Sequence, residues 1–354
     1  MTTARIGSNG HTPPVGVAVV GLGYWGPNLV RNLHELSTAD VRYVCDSRDA
    51  ALNPIARRYP AIRAVNAYES VLRDPKVEAV AIATPVSTHF DLAMRALEAD
   101  KHVFIEKQLA ASASEGLELV ETARARGLLL MPGHTFLYSP PVQAIRTLIH
   151  SGELGDIYFI SASRVNLGLH QADVSVAWDL GPHDFSILRF WLGETPEYVT
   201  ALSRSCVLPD IPDVAFINLE FPCETIAHIE LSWLAPSKLR RTTIVGSEKM
   251  VVYDDTSTEP VRIFDSGVTL PNPTNYGEYR LTYRTGDIVS PQVAAAEPLR
   301  LEMGDFCSAI RTGIEPQSSA ELGLEVVRII EAVDASLEAG GQRVEVAPPT
   351  RATA

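Results

Sequence analysis

The sequence predicts an α/β protein, with an N-terminal doubly wound parallel sheet and a C-terminal α/β domain built on a large, open, mainly antiparallel sheet. Three observations predict this class. The run from Val15 to Val20 is continuously apolar, as in a strand that is buried on both faces. Strand and helix patterns alternate as far as residue 136. Beyond about Pro140, strand patterns follow one another with few long helices between them.

Length and charge limit the class of protein further. The 354 residues, of which 46% are hydrophobic, suit about two domains. No apolar run reaches the ~20 residues of a membrane span. The polar segment 1–14 lacks the apolar core of a signal peptide, so we expect a flexible tail there. The net charge of −13 argues against nucleic acids and anionic membranes as partners.

The cysteines indicate the compartment. Cys45, Cys206, Cys223 and Cys307 form no Cys-x-x-Cys pair and have apolar neighbours in the sequence. We therefore expect buried thiols in a reducing compartment, which indicates a cytoplasmic protein. We expect no metal site.

A glycine-rich turn follows the first strand. Gly21 would make the tight turn, Gly23 would let the backbone approach a pyrophosphate, and Gly26 would let the next helix pack closely. Glycines also serve ordinary turns, so this spacing alone is weak evidence. Asp46, however, ends a second apolar segment about 20 residues after Gly26, where an acid binds an adenosine ribose. The combination predicts dinucleotide binding.

Each further element of the first domain is predicted from its apolar spacing. Short apolar runs give strands at 15–20, 41–45, 63–66, 79–83, 102–105 and 128–131. Amphipathic spacing gives helices from Pro27 onward and at 50–58, 89–98 and 112–126. Ligands of such sheets lie at the carboxyl ends of the strands. The turn at 21–26, Asp46, Thr84-Pro85 and Glu106-Lys107 all fall at these ends.

The second part of the chain has a different pattern. A helix is predicted at 142–150, followed by strands at 157–164, 198–205, 215–220, 225–231, 241–245 and 250–254. The segment 255–298 is rich in Pro, Gly and Thr and is predicted to form long loops with one strand. Two helices are predicted at 301–311 and 319–339.

Three residues are candidates for the chemistry: Lys107, Asp179 and His183. Pro182 is expected at the first position of a helix, because inside a helix it would remove a hydrogen bond. Asp179 would then precede the helix, and His183 would lie in its first turn, where the positive helix end favours a neutral imidazole base. Asp184 is interpreted as a helix N-terminal acid. A structural histidine and a solvated lysine remain the alternatives.

The chain resembles the glucose–fructose oxidoreductase and inositol dehydrogenase superfamily of NAD(P)-dependent sugar and cyclitol oxidoreductases. The resemblance runs from Val15 to Val346. It rests on the glycine-rich turn, on Ala83-Thr84-Pro85 with His89, on Glu106-Lys107, on Gly152-Glu153-Leu154-Gly155, on the segment from Asp179 to His183, and on Phe306-Cys307-Ser308-Ala309-Ile310-Arg311-Thr312-Gly313 with Pro316.

The resemblance implies a Rossmann domain at 15–136 and a substrate-binding and oligomerisation domain at 137–348, in a homodimer or homotetramer. It implies that Lys107 positions the substrate hydroxyl, that His183 is the general base and that Asp179 supports it. We expect the cofactor to be bound by Gly21, Gly23, Tyr24, Trp25, Gly26, Asp46, Ser47, Arg48, Thr84, Pro85, His89, Glu106 and Lys107. One departure is Gln108, which replaces the proline that usually follows the family's lysine.

The cofactor is expected to be NAD, because Asp46 would repel the 2′-phosphate of NADP. Arg48 could accept that phosphate and keeps NADP as the alternative. The substrate-binding candidates are His134, Tyr138, Arg164, Asn166 and Trp178, for each of which a structural role is equally compatible with the sequence.

The expected reaction is oxidation of a ring hydroxyl, or reduction of the ketone, at C3 of a hexose unit. A nucleotide sugar is the first interpretation of the substrate, and its diphosphate would need cations such as Arg164, Lys238, Arg240 and Arg241. The acidic net charge instead favours a cationic aminosugar glycoside, and a cyclitol such as inositol is a further alternative. A non-catalytic NAD-binding sensor is the alternative of another class, and Gln108 is the feature that favours it.

Overall fold

The computed structural model describes residues 13–168, 170, 174–269 and 282–347. The chain forms two compact units. The first unit contains the chain up to Tyr138 together with Ala296–Val327, and the second unit contains Ser139–Ala295 and the chain from Arg328 onward. The segment Ala296–Val327, which the sequence analysis placed in the second domain, therefore belongs with the N-terminal sheet. Arg311 in this segment forms an ion pair of 2.6 Å with Glu78.

The first unit is built on a six-stranded parallel sheet, which confirms the predicted class. Its strands are β1 (Val15–Val20), β2 (Ala39–Cys45), β3 (Arg63–Val65), β4 (Ala79–Ile82), β5 (His102–Glu106) and β6 (Leu130–Gly133). They lie in the order β3-β2-β1-β4-β5-β6. All residues of β1 and β4 are buried, as their continuous apolar runs predict.

The helices of the first unit begin and end close to the predicted positions, except for the short α3, which was not predicted. They are α1 (Gly26–Glu35), α2 (Asp49–Arg58), α3 (Tyr68–Leu72), α4 (His89–Glu98), α5 (Ala113–Arg126), α8 (Pro298–Thr312) and the first part of α9 (Ala320–Glu338). At the start of α5, Ser112 accepts a hydrogen bond from the backbone N–H of Glu115 at 3.2 Å. Gly127, with φ of 65°, ends this helix in the left-handed conformation that glycine adopts without strain.

The second unit is built on a nine-stranded sheet in which only β7 and β10, among the described residues, pair in parallel. Its strands are β7 (Ile157–Leu167), β8 (Tyr198–Arg204), β9 (Val214–Glu220), β10 (Ile226–Ser232), β11 (Leu234–Gly246), β12 (Met250–Asp254), β13 (Val261–Thr269), β14 (Thr282–Val289) and β15 (Val344–Glu345). Their order is β14-β13-β12-β11-β7-β10-β9-β8-β15. The helices of this unit are α6 (Pro140–His150), α7 (Val176–Leu192) and the remainder of α9.

One face of this sheet is covered by α7 and the other is open. Ala215, Ile217 and Leu219 of β9 are fully buried on the covered face. On the opposite face, Leu202 and Phe216 are exposed by 62% and 43%. The alternation along each strand is that of a sheet with one solvated side.

The structure corrects the prediction of long loops with one strand over 255–298, because this segment contains both β13 and β14. β14 is an edge strand on which almost every residue is exposed. An edge strand without a buried face shows no alternation of apolar and polar residues, so no strand could be predicted there from the hydrophobic pattern. The part of the segment at 270–281 lies outside the described residues.

A second correction concerns the start of α7. This helix begins at Val176, so Pro182 lies inside it rather than at its first position. Ser175 caps the helix, since its hydroxyl accepts a hydrogen bond from the backbone N–H of Trp178 at 3.4 Å. Asp179 therefore lies in the first turn, and His183 lies well inside the helix.

Two further expectations about the chain can be compared with the structure. Cys45 and Cys307 are buried free thiols, but Cys206 and Cys223 are exposed because they lie in surface connections after β8 and β9. Within the described ranges, no helix is both long enough and apolar enough to span a bilayer. The predicted tail at 1–14 lies outside the described residues, except for the two prolines at its end.

Candidate active site

A cavity of about 680 Å³ lies at the carboxyl ends of β1, β2 and β4 in the first unit. Seven residues predicted to bind the cofactor line it: Gly21, Gly23, Asp46, Ser47, Arg48, Thr84 and Pro85. These residues come from separate stretches of sequence, and they meet because parallel strands present their carboxyl ends at one edge.

The three positions of the turn require glycine for different physical reasons. Gly21 has φ of 88°, and a Cβ there would lie 2.5 Å from the carbonyl oxygen of Ala83. A Cβ on Gly26 would lie 2.0 Å from the carbonyl oxygen of Gly21, so α1 could not pack as it does. A Cβ on Gly23 would meet no atom within 4 Å. The fold itself therefore does not require glycine at position 23, whereas a closely approaching pyrophosphate does.

The carboxylate of Asp46 is held by four hydrogen bonds. Oδ2 accepts from the backbone N–H of Leu22 at 2.8 Å and from a guanidinium nitrogen of Arg48 at 3.1 Å. Oδ1 accepts from the backbone N–H and from Nε of Arg48 at 2.9 and 3.0 Å. The hydrogen bond from the Arg48 side chain is the largest cause that lowers the pKa of Asp46 to about 2. Asp46 is thus a fixed anion, as recognition of ribose hydroxyls requires.

Nine residues that line the cavity were not predicted to bind the cofactor: Val20, Cys45, Asn66, Tyr68, Ala83, Ser87, Thr88, Asp91 and Leu92. Asn66 donates to the backbone oxygen of Asp46 at 3.2 Å. It directly follows β3, so the strand-end rule that found Asp46 would have found it too. Tyr68 donates to the backbone oxygen of Leu92 at 2.9 Å, and no sequence signal linked these two positions.

Among the other predicted cofactor residues, Tyr24 and Trp25 differ from His89 in exposure. Tyr24 and Trp25 are exposed by 83% and 43% at the start of α1, with their rings edge to face. His89 is buried, and its ring nitrogens lie 2.7 Å from the backbone oxygen of Gln108 and 2.9 Å from that of Thr84. A charged ring would donate to both oxygens, but burial lowers the pKa of His89, so the neutral ring donates to one. His89 thereby connects the loops after β4 and β5.

Lys107 follows β5 and is surrounded by buried ionisable groups. The Lys107–Gln108 peptide bond is cis. Burial raises the pKa of Glu106 to about 7, although the charge of Lys107 opposes this. Burial, together with the positive charge of Lys107, lowers the pKa of His134 to about 3. His134 is therefore a neutral, buried ring in the first unit rather than a charged contact for a ligand.

In the second unit, Asp179 and His183 lie four residues apart on α7 and so face the same side of the helix. Trp233 donates from its indole N–H to Oδ2 of Asp179 at 3.2 Å. The expectation that the positive helix end keeps His183 neutral is wrong, because His183 does not lie in the first turn of α7. The helix dipole acts mainly within the first turn, and Asp179 lies there instead.

Arg164 and Asp184 form a buried, bidentate ion pair beneath the covered face of the sheet. Arg164 donates to the two carboxylate oxygens of Asp184 at 2.6 and 3.0 Å, and both side chains are about 6% exposed. The interpretation of Asp184 as a helix N-terminal acid is wrong, since it lies in the interior of α7. This pairing favours the structural alternative for Arg164.

The remaining substrate candidates differ in what they contact. Tyr138 is buried, and its hydroxyl donates to Asp305 at 2.7 Å and accepts from the backbone N–H of Ser318. Trp178 donates from its indole to Asp334 at 2.7 Å. Asn166 is half-buried, two residues after Arg164 on β7, and therefore shares the face that α7 covers. The structure thus uses the polar groups of Tyr138 and Trp178 within the fold.

Comparison with known families assigns both parts of the chain. Residues 15–134 match the oxidoreductase family with an NAD-binding Rossmann fold, and residues 142–252 match the GFO/IDH/MocA C-terminal domain. The chain belongs to the GFO/IDH/MocA family of oxidoreductases. It is therefore an NAD-dependent enzyme of a family that acts on sugar and cyclitol hydroxyls, and the expected resemblance is confirmed.

Three similar proteins illustrate the family. The scyllo-inositol 2-dehydrogenase (NAD(+)) of Bacillus subtilis (strain 168) is 27% identical over 244 residues, which are 65% of this chain and 71% of that protein. GenD2 from gentamicin A biosynthesis, in complex with NAD, has a TM-score of 0.81 at 24% identity and covers 98% of this chain and 100% of its own. UDP-N-acetylglucosamine 3-dehydrogenase GnnA from Acidithiobacillus ferrooxidans has a TM-score of 0.77 at 24% identity, covering 92% and 97%. These two structures share the fold of this oxidoreductase.

The residues of the first unit fit NAD. α1 begins without a side-chain cap and without an acidic residue in its first turn, so its N-terminal end suits a pyrophosphate. Gly23 faces open space next to this end, and Asp46 lines the same cavity. The oxidoreductase therefore has the anion site, the close approach and the ribose acceptor that a dinucleotide needs.

Proposed function

We propose that this oxidoreductase oxidises a secondary ring hydroxyl, or reduces the corresponding ketone, at C3 of a hexose unit in a nucleotide sugar. The position of Lys107 carries the proposal. Lys107 follows β5, the neighbour of β4, and the residues after β4, Thr84 and Pro85, line the NAD cavity. A lysine at this edge is suited to binding a hydroxyl next to the nicotinamide.

The proposed chemistry divides the work between three side chains. NAD, when bound, accepts the hydride from the substrate carbon or returns it. His183 removes the hydroxyl proton as general base, and Lys107 stabilises the developing alkoxide with its positive charge. Asp179, one helical turn before His183 and held by Trp233, supports the base.

The preference for a nucleotide sugar is supported by the similarity in fold to a UDP-N-acetylglucosamine dehydrogenase over nearly the whole chain. A diphosphate would need cations from the second domain. Lys238 is exposed and remains a candidate, whereas Arg240 and Arg241 form ion pairs with Asp255 and Asp254.

A cationic aminosugar glycoside is the second candidate. The net charge of −13 favours an ammonium-bearing ligand, and GenD2 from gentamicin A biosynthesis has a similar fold over 98% of this chain. Turnover is measured as NADH absorbance with UDP-sugars, with aminosugar glycosides and with inositol, each at low and high salt. Turnover of UDP-sugars supports the first candidate. Salt-sensitive activity on the glycosides, with none on UDP-sugars, would reverse the order.

The catalytic assignment is tested by Lys107→Ala and His183→Ala. Loss of a positioned acid–base group costs about 10²–10⁴-fold in turnover. NADH binding is expected to change little, since neither variant alters the cavity lined by Asp46. The exposed Lys76→Ala and His34→Ala serve as matched controls. Near-full activity of His183→Ala between pH 6 and 9 would mean that another group is the base.

We also propose a homo-oligomer that forms through the open face of the nine-stranded sheet, in the cytoplasm. Leu202, Phe216 and Ile226 expose apolar side chains there, by 43–62%. Monomeric proteins rarely expose a large contiguous apolar patch. Light scattering is expected to give a dimer or tetramer, and Phe216→Asp to weaken it. A wild-type monomer at high concentration would rule the interface out.

A further inference from the structure

Three buried ionisable side chains form a cluster in the first unit: Glu106 and His134, which feel the charge of Lys107, and Glu302, which feels the charge of Glu106. They are exposed by 8%, 1% and 0%. Among the described residues, Oε1 of Glu106, Oε1 of Glu302 and both ring nitrogens of His134 have no hydrogen-bond partner. Buried polar atoms are nearly always paired, so four unpaired atoms in one place call for an explanation.

The fold brings these groups together from three elements. β5 and β6 are neighbours, with Glu106 opposite Gly133, so His134 emerges beside Glu106. A Cβ on Gly133 would lie 3.3 Å from Oε2 of Glu106, which shows how closely this carboxyl lies over β6. Glu302 comes from α8, and its Oε2 accepts a hydrogen bond from Thr135 at 2.7 Å.

The surroundings distinguish the two carboxyls. Glu106 has the positive charge of Lys107 and its backbone N–H to stabilise an anion. Burial and the negative charges of Glu106 and Asp305 disfavour the anionic form of Glu302, and only the hydrogen bond from the hydroxyl of Thr135 favours it. These effects raise the pKa of Glu302 well above its ordinary value, so Glu106 ionises first.

The other titratable groups of the cluster do not change this order. His134 is neutral and supplies no counter-charge. Burial is the main cause that raises the pKa of Tyr138, so its hydroxyl keeps its proton and donates to Asp305. Two carboxyls that interact inside a protein titrate as a pair.

We propose that Glu106 and Glu302 form a proton-sharing pair in which Glu302 keeps its proton while Glu106 supplies the single negative charge beside Lys107. Glu106 is then a positioning residue for Lys107, and Glu302 prevents a second negative charge. The role of the pair in turnover rests on the function proposed above for Lys107, but the protonation of the pair can be tested without any substrate.

The first test compares the pH dependence of stability in wild type, Glu302→Gln and Glu106→Gln. Glutamine imitates a protonated glutamate in shape. A carboxyl whose pKa is raised in the folded state contributes stability at low pH. This stability is lost as the pH rises from the pKa of the unfolded state, about 4.5, through the pKa of the folded state. The unfolding constant of wild type, divided by that of Glu302→Gln, is expected to rise with pH above about 5 by up to about tenfold per pH unit, because one proton is released on unfolding.

Relative to Glu106→Gln, the same ratio is expected to rise only as far as pH about 7 and then to level off. Exposed Glu118→Gln is the matched control and should give a flat ratio. A flat ratio for Glu302→Gln would overturn the proposal. Should that variant not fold, the infrared C=O band of a protonated carboxyl in wild type at pH 8 decides instead: its presence supports the pair and its absence overturns it.

The second test measures turnover and NADH binding at pH 8. Glu106→Gln is expected to lower kcat by about 10–100-fold, more than it weakens NADH binding, because it removes the charge beside Lys107. Glu302→Gln is expected to keep more than about a third of wild-type kcat. The reverse ranking of the two variants would overturn the assignment. If wild type turns over no sugar, the proposed function fails while the stability test still decides the pair.

Discussion

Replacement of Asp184 by Asn tests the role of the buried ion pair with Arg164. The carboxylate accepts two hydrogen bonds, at 2.6 and 3.0 Å, from the guanidinium of Arg164, a residue that is 5% exposed. Burial opposes the charge of Arg164, but the charge and hydrogen bonds of Asp184 outweigh it and keep the pKa of Arg164 above its ordinary value. Asp184→Asn would leave this charge buried without its counter-charge, which costs about 3–5 kcal/mol of the free energy of unfolding.

Urea unfolding followed by tryptophan fluorescence measures this loss, because Trp178, Trp191 and Trp233 all lie in the second unit. A loss of about 3–5 kcal/mol corresponds to a decrease in Tm of roughly 6–20 °C for a unit of this size.

The controls decide whether burial is the cause. The double variant Arg164→Met/Asp184→Leu removes both charges and is expected to recover most of the lost stability, as apolar replacements of buried pairs do. Arg241→Met breaks a pair whose arginine side chain is 48% exposed, so it should cost less than about 1 kcal/mol. If Asp184→Asn costs no more than Arg241→Met, Arg164 does not depend on Asp184 and the reasoning is refuted.

Three further predictions follow from the cofactor unit and α7. NADH is expected to bind more tightly than NADPH in a fluorescence titration, because the anionic Asp46 repels a 2′-phosphate; tighter NADPH binding would contradict this. Gly23→Ala is expected to keep wild-type stability and to weaken NADH binding, whereas Gly26→Ala should destabilise the fold through the 2.0 Å contact with Gly21. Equal stability of the Gly23→Ala and Gly26→Ala variants would mean that the fold does not distinguish the two glycines. Ser175→Ala is expected to cost about 1 kcal/mol in urea unfolding, and no loss would mean that α7 does not depend on this cap.

The strands of the parallel sheet could be predicted because burial on both faces leaves a direct trace in the sequence. β1 and β4 are runs of apolar residues without alternation, and the cofactor residues follow from the places where such runs end. β14 left no such trace because almost none of its side chains is buried. Its pairing with β13 depends on backbone hydrogen bonds, which any residue except proline can make.

The start of α7 was misplaced because a local rule about proline outweighed a second local signal. Ser175, followed by Asp179 in the first turn, is a helix start that could have been recognised. Pro182 is tolerated inside the helix at the cost of one backbone hydrogen bond. The relation between Asp179 and His183 survives the correction, because residues four apart on a helix share a face wherever the helix begins.

Glu302 shows what a sequence can reveal about a site and what it cannot. Leu299, Met303 and Phe306 of α8 are buried at helical spacing, and Glu302 lies on the same side of that helix. A carboxyl on an apolar face is a visible signal, but its partner on β5 is almost 200 residues away and becomes known only from the tertiary structure.

The two buried pairs of this chain differ in a way that separates stability from catalysis. Arg164 and Asp184 balance each other in charge and geometry, so the pair serves stability. Glu106 and Glu302 repel each other, and each retains an oxygen without a hydrogen-bond partner among the described residues. Such an arrangement lowers stability as the pH rises, and a fold has no structural reason to keep it. Because Glu106 directly precedes Lys107, the pair has a chemical reason to persist: one retained proton keeps a single negative charge beside the lysine. Substitution of Asp184 should therefore lower the free energy of unfolding, whereas Glu302→Gln should change how that free energy varies with pH.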